Sequence, residues 1–422
     1  MSITNIIQSK DVYNIIRKAL EIMDVRIMRH GEVTAYFLYK MLQTDGIYSE
    51  QELADYTMIG MMHDIGMIKT GYSKRIVDRE TKGVWAHSVY GYLFFRYLSP
   101  IGDKAEIVLY HHLPFRLHGM IKSQYMKIAE YLTLADKMDM YLCTDGDGLN
   151  RNYFSQNAGV EFSAKAVESF NKAQAKYNIM EKLNDGSYKD EMDALIANAH
   201  FTEKYKKGFL EMLIYTIDFR SQQTVMHTLA TTAFALELGR ILRVSTKELQ
   251  LLYYGALLHD IGKIAIPVEI LEAPRRLTDE EMQVMKAHVS VSEKILRGII
   301  DDEVLEVAVR HHEKLDGSGY HRGLKGEELT QLQRIVAVAD ILSALYGKRS
   351  YKDSFEPEKI KAILMKDAEA GKICQGIVSV AVGNFDTIIR NYEKQRKNTL
   401  GIYETILTQY DKIYEQFKIY EQ

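Results

Sequence analysis

The sequence predicts an all-α protein made of two tandem copies of one helical domain. Three observations carry this. Apolar residues recur at three-and-four spacing rather than alternating, only five prolines interrupt the 422 residues, and one ordered series of histidines and aspartates occurs twice. The first series reads His30, His63-Asp64, His87, His111-His112 and Asp136; the second reads His227, His259-Asp260, His288, His311-His312 and Asp340. Matching members are 197, 196, 201, 200 and 204 residues apart, so the order is kept while the loops change by only a few residues. Such a period is too long for a solenoid and means duplication of a whole domain. Ten of the thirteen histidines fall in the two series, leaving His118, His200 and His321 outside.

Bulk properties narrow the partners. A formal net charge of −3 argues against a basic surface that coats duplex nucleic acid. Two cysteines, Cys143 and Cys374, form neither a disulfide framework nor a cysteine zinc site, which suits a reducing cytoplasm. The amino terminus has no basic segment followed by a long apolar one, and no window reaches the ~18 apolar residues of a membrane span. A cytoplasmic protein with no membrane partner is expected.

Along the chain, Val12, Ile15, Ile16, Leu20, Ile22 and Met23 mark an amphipathic helix over 11–29 that leads into His30. A second helix runs through Val33, Phe37, Leu38, Met41 and Leu42, with Gly46 as its stop. Residues 145–195 lose the repeated pattern. Asp145-Gly146-Asp147-Gly148 and Asn184-Asp185-Gly186-Ser187 are turn signals around a helix-like stretch at 161–182, and 200–226 reads as a helix joining the copies. Glu356-Pro357-Glu358 starts a helix reaching about Met365. A helical tail from 377 to 420, broken near Gly383 and Gly401, carries a stripe of Tyr403, Ile406, Tyr410, Ile413, Phe417 and Tyr420. That stripe fits either a helix packed on its own domain or the seam of a homodimer. The expected organisation is a domain over 1–145, a helical linker region over 146–215, a second domain over 216–375 and the tail over 376–422.

In the second copy an apolar run, Leu257 to Ile264, is interrupted by His259 and Asp260. A buried carboxylate beside an imidazole needs a partner, and a metal ion serves. His227, His259, Asp260, His288, His311, His312 and Asp340 are too many for one tetrahedral zinc. They suit two octahedral ions with Asp260 as the bridge, and mixed nitrogen and oxygen ligands favour iron or manganese. Paired ions of this kind suit hydrolysis of a phosphodiester. Lys263, three residues past Asp260, is either a solvated lysine or a positive charge for the phosphate.

His259-Asp260-Ile261-Gly262-Lys263, Ile266-Pro267, Met285-Lys286-Ala287-His288, His311-His312-Glu313-Lys314-Leu315-Asp316-Gly317-Ser318-Gly319-Tyr320 and Ala337-Val338-Ala339-Asp340 together resemble the HD-GYP family of bacterial cyclic-dinucleotide phosphodiesterases. The resemblance covers about residues 220–370. It implies two tandem HD-superfamily helical domains and hydrolysis of cyclic di-GMP, or of cyclic GMP-AMP, to the linear dinucleotide and in some members to mononucleotides. It also implies that the seven residues above bind metal, that Lys263 meets the scissile phosphate, and that Arg349 and Lys352 hold the nucleotide phosphates, the guanidinium bidentately. Gly317, Gly319 and Tyr320 are expected beside the mouth of the site.

Three departures qualify the pattern. His321 stands where the signature has proline, which touches the stiffness of the loop. Gln223 stands where three-metal members have glutamate, so two ions are expected. Ile373-Cys374-Gln375 replaces a later Phe-Asp-Pro. Two further uses of the second copy stay open: a cyclic-dinucleotide sensor or scaffold without turnover, and a phosphohydrolase acting on another phosphoester.

The first copy keeps His30, His63, Asp64, His87, His111, His112 and Asp136 as a second candidate metal site. Met67 replaces the lysine, Leu113-Pro114-Phe115 replaces the glycine-rich loop, and no arginine stands nine residues past Asp136. It resembles a plain HD domain, open to a weakly active or regulatory role, a structural one, or independent phosphohydrolase activity.

Overall fold

The computed structural model describes residues 6–70, 84–144, 151–220, 224–347 and 355–418. Among them all regular structure is helical, and the only β contacts are the isolated bridges Ala158–Phe162 and Asp316–Lys325. The all-α expectation therefore holds. The duplication is visible in how equivalent helices begin. Ser49 and Ser245 open Glu50–Met62 and Thr246–Leu258 with the same reciprocal cap: each hydroxyl accepts the third helical N–H, and Glu52 or Glu248 accepts the serine N–H at 2.9 and 2.7 Å. Both helices stop at the histidine of the His-Asp pair. By their order in the chain, five helix pairs correspond: Val25–Asp45 with Thr224–Ile241, Glu50–Met62 with Thr246–Leu258, Val84–Leu98 with Asp279–Leu296, Glu106–Tyr110 with Asp302–Val309, and Met126–Thr144 with Gln331–Tyr346.

The chain divides into two compact units, one of Gln8–Met212 together with the chain from Glu404, the other built on Leu213–Tyr403. Helices Ala164–Tyr177 and Tyr188–Asn198, from the stretch between the copies, pack within the first unit. Phe170 meets Phe37 edge-on at 5.6 Å, the Tyr188 hydroxyl donates to Glu32 at 3.2 Å, and Lys40 pairs with Glu191 at 2.6 Å. Amphipathic helices bury their apolar stripe on whatever face is available, and here the first domain supplies it.

Several boundaries differ from the sequence expectation. The helix expected over 11–29 is two, Ser9–Met23 and Val25–Asp45, because Asp24 adopts an extended conformation and its carboxylate caps Arg26 N–H at 2.9 Å. Gly46 does end the second helix, at φ 68°. The 161–182 stretch breaks at Asn178, which takes the left-handed conformation. The joining helix is Glu203–Asp218 and does not reach 226. Gly383 ends Gln375–Gly383, but Gly401 lies inside the continuous helix Phe385–Phe417; an interior glycine costs only ~1 kcal/mol, which packing outweighs. The turn signal at 145–148 lies outside the described residues.

Of the two readings of the tail stripe, packing within the chain is the one the contacts carry. Tyr410 stacks on Tyr90 at 3.9 Å, and Phe417 lies 4.7 Å from Trp85. Among the described residues no helix is long and apolar enough to cross a membrane.

Candidate metal centres in two HD domains

In the second unit the series converges. His259 and Asp260 lie at the turn that ends Thr246–Leu258, His227 and Asp340 face in from helices, His288 sits in Asp279–Leu296, and His311-His312 follow Asp302–Val309. Gly262 makes the turn fit: a Cβ there would lie 2.0 Å from His288 O, so only glycine lets the turn touch the helix carrying the next ligand. Ser292 pins the same contact, accepting Gly262 N–H at 2.9 Å and donating to His259 O at 3.0 Å.

Asp260 has two faces. Its Oδ2 lies 3.0 Å from His259 Nε2 and 3.4 Å from His227 Nε2, whereas Oδ1 lies 3.2 Å from His288 Nε2 and 4.0 Å from His311 Nε2. Asp340 Oδ1 lies 3.0 Å from His227 Nε2, and Oδ2 lies 3.5 Å from His312 Nδ1. Two ligand groups result, His227-His259-Asp260 and His288-His311-His312, each compact enough for one ion.

The donor set fits divalent metal. His259, His288 and His311 each donate Nδ1–H to the backbone carbonyl three residues back, at 2.7, 2.6 and 2.7 Å, which leaves Nε2 as a lone pair aimed at the centre. His259 Nε2 and Asp260 Oδ1 are buried and lack a hydrogen-bond partner, a costly state that an ion relieves. The electrostatics of His288 and His311 agree, whereas Asp260 and Asp340 push His227 up to about 9 against its burial. Burial pushes His288 down to about 4 and, with His312 and His259 beside it, holds His311 well below the usual range, so these imidazoles are neutral, the form that can bind a metal. Burial alone would raise Asp260, but His259 and Lys263 hold it well below the usual carboxylate range.

Lys263 is drawn onto Asp260: its ammonium lies 2.5 Å from Oδ2. The short helix that carries it, Ile261–Ala265, is held by Arg220, whose guanidinium donates to Lys263 O at 3.2 Å, Ile264 O at 2.8 Å and Ile266 O at 3.0 Å. Sequence reading missed Arg220, because its targets are backbone carbonyls more than forty residues away and leave no side-chain pattern.

Gly319 is packed against the backbone and Tyr320 stands beside His312. A Cβ at Gly319 would lie 2.4 Å from Lys314 N, and the Tyr320 ring lies 4.7 Å from the His312 ring with Lys286 Nζ 5.1 Å from its centre. The loop is anchored despite the missing proline. His321 Nε2 pairs with Glu293 at 2.8 Å, and Glu313 accepts the N–H groups of Arg322 and Leu324 at 2.7 and 2.9 Å. Arg349, Lys352 and Gln223 lie outside the described residues.

The first unit repeats the arrangement. Asp64 Oδ1 lies 3.3 Å from His87 Nε2 and 3.6 Å from His63 Nε2, its Oδ2 lies 3.9 Å from His30 Nε2, and His30 Nε2 lies 3.0 Å from Asp136. His63 and His111 again donate Nδ1–H to carbonyls three residues back, and their Nε2 atoms are buried without a partner. A Cβ at Gly66 would lie 2.0 Å from His87 O, as at Gly262. Met67 and Met140 join the ligands in lining a cavity of ≈ 20 Å³, room for an ion or a water only. His118 bonds Leu113 O and Glu130 instead, and His200 is exposed, so neither joins a centre.

Two family profiles, each described as HD domain, match residues 9–141 and 211–373. The chain belongs to the HD superfamily. Its two HD domains are similar over 400 residues, at 26% identity and 90% of each chain, to 3'3'-cGAMP-specific phosphodiesterase 1 of Vibrio cholerae. The C-terminal HD domain, which carries the HD-GYP pattern, is 34% identical over 201 residues to the cyclic di-GMP phosphodiesterase response regulator RpfG of Xanthomonas campestris. That match spans 43% of this chain and 53% of the relative. It is also 38% identical over 147 residues to a cyclic di-GMP phosphodiesterase of Thermotoga maritima, 34% of this chain and 40% of that one. Among solved structures, the cyclic GMP-AMP-specific phosphodiesterase V-cGAP3 of V. cholerae aligns with a TM-score of 0.57 at 18% identity. It covers 89% of this chain and 98% of its own, a shared fold.

Proposed function

We propose that this protein is a metal-dependent phosphodiesterase that hydrolyses a cyclic dinucleotide, cyclic di-GMP or 3'3'-cyclic GMP-AMP, to the linear dinucleotide in its C-terminal HD domain. The observation that carries the reading is the two-faced Asp260, with a separate set of imidazole Nε2 atoms on each oxygen and a lysine on the same carboxylate. His227, His259 and Asp260 would hold one divalent ion and His288, His311 and His312 a second, with Asp340 beside them; iron or manganese suits this set. When bound, such ions supply a hydroxide nucleophile at neutral pH and neutralise charge on the phosphodiester.

The chain's own residues do the rest. Asp260 fixes the spacing of the two ligand groups. Lys263, charged because Asp260 and Asp218 outweigh its burial, places an ammonium where negative charge grows on the phosphate oxygens. Tyr320, standing over His312, offers a flat face for a base, and Arg349 and Lys352 take the phosphates. The His321 departure leaves the loop anchored by Glu293 and Glu313, which supports turnover over a sensor without it. The reading places the enzyme in a reducing cytoplasm, suited to a chain with two cysteines.

The test is incubation of the full chain with each cyclic dinucleotide and Mn²⁺ or Fe²⁺, with product followed by chromatography and metal measured on the same sample. Linear dinucleotide is expected, together with a loss of at least about 100-fold in rate for Lys263→Met at unchanged metal content. Bound ligand that stays cyclic, or full activity in the His259→Ala, Asp260→Ala double variant, overturns the reading.

A further inference from the structure

The two centres share their ligands but differ in what holds the first histidine of each series. In the N-terminal HD domain His30 Nδ1 lies 2.8 Å from Oδ2 of Asp139, a fully buried carboxylate. The matching position in the C-terminal domain is Ser343, whose Oγ lies 2.6 Å from His227 Nδ1. On the other side of the ring the two copies match, with Nε2 of each histidine 3.0 Å from the last aspartate of its own series.

The chemistry of the two contacts is not equal. A carboxylate only accepts, so Asp139 admits a single neutral tautomer of His30, with the proton on Nδ1 and the lone pair on Nε2 toward the ligand group. It also makes that imidazole more electron-rich. The Ser343 hydroxyl donates to Asp340 O at 2.9 Å, lies 2.8 Å from Thr231 Oγ1, and carries no charge. A buried carboxylate needs a counter-charge, and Arg29 lies 3.8 Å from Asp139 Oδ1. The residue matching Arg29 in the second series is Met226. Carboxylate and guanidinium are thus both present in one copy and both absent from the other, the paired exchange that a change in the electronics of the histidine requires.

We propose that Asp139 is a positioning residue that makes the N-terminal centre the tighter of the two for divalent metal, so that it keeps its ions under conditions that empty the catalytic centre. This rests on the metal reading of the C-terminal centre given under Proposed function and on the matching donor set of the N-terminal one. The experiment uses the full chain, stripped of metal and titrated with Mn²⁺ against a chelating dye. The N-terminal centre is isolated by His259→Ala, Asp260→Ala and the C-terminal centre by His63→Ala, Asp64→Ala. The N-terminal centre is expected to bind Mn²⁺ about 10- to 100-fold more tightly. Asp139→Ser removes that margin, and the isosteric Asp139→Asn removes part of it. Within the otherwise unaltered chain, Asp139→Ser leaves the affinity of the C-terminal centre unchanged, which a general folding defect would not. Equal affinities in the parent centres, or full affinity in both Asp139 variants, overturns the proposal alone. A parent N-terminal centre that takes up no Mn²⁺ overturns the metal reading of that domain, and the proposal with it.

Discussion

At the scale of single residues, both centres depend on atoms that sequence reading does not rank. Gly66 and Gly262 look like ordinary turn glycines, yet each is where a turn presses on the backbone of the next ligand helix. Asp218 is a buried carboxyl beside the catalytic candidates that joins neither ligand group. Burial pushes it up to about 6, although Thr228 and Lys263 act the other way. An acid whose folded value stands above its unfolded value of about 3.9 holds its proton more tightly when folded. Its contribution to stability is full below about pH 4 and is lost as pH rises through about 6. Asp218→Asn in the metal-free chain should therefore stabilise the second unit by roughly 1–3 kcal/mol at pH 7 and by almost nothing at pH 4. Thermal unfolding across that range measures it, and a gain independent of pH would contradict the assignment.

At the scale of elements, the short Ile261–Ala265 helix sets where Lys263 lies, and Arg220 holds three carbonyls at and just past its end. A guanidinium there satisfies acceptors that the helix end leaves open. Arg220→Ala is expected to lower kcat by about 10- to 100-fold through displacement of Lys263, with metal content unchanged. Steady-state kinetics beside metal analysis separates this from loss of the ions, since a variant short of metal would point to a structural role instead. Capping is the part of this scale that sequence does disclose. Ser49 with Glu52, Ser245 with Glu248 and Thr278 with Glu281 are serine or threonine followed three residues on by glutamate, and each opens a helix.

At the scale of the whole molecule, duplication gave two domains the same ligand frame while their surroundings diverged. The C-terminal domain keeps a lysine and an anchored glycine-rich loop; the N-terminal one has methionines around a cavity of ≈ 20 Å³. The last helix adds Tyr410 and Phe417 to the aromatic surface of the first unit, beside Trp85 and Tyr90 of the helix that carries His87. Phe417→Ala, at a side chain only 7% exposed, should cost the first unit about 3 kcal/mol. Hydrogen exchange should rise along Val84–Leu98, and unchanged exchange there would mean that the tail contributes no stability to this helix.

The sequence by itself determined the helical class, the duplication and the order of the candidate ligands. Those features are written in local periodicity and in chemically distinctive residues at repeated spacing. It also named Lys263 against Met67 as the difference between the copies. Only the tertiary structure decided which oxygen of Asp260 faces which histidines, that Arg220 holds the lysine turn, and that Asp139 and Ser343 hold His30 and His227 differently. It likewise decided that the tail stripe covers a surface of its own chain. Each of those is a contact between residues far apart in the chain, where the partner is a backbone carbonyl or a common side chain. Neither spacing nor composition marks such a pair until folding brings it within hydrogen-bond distance.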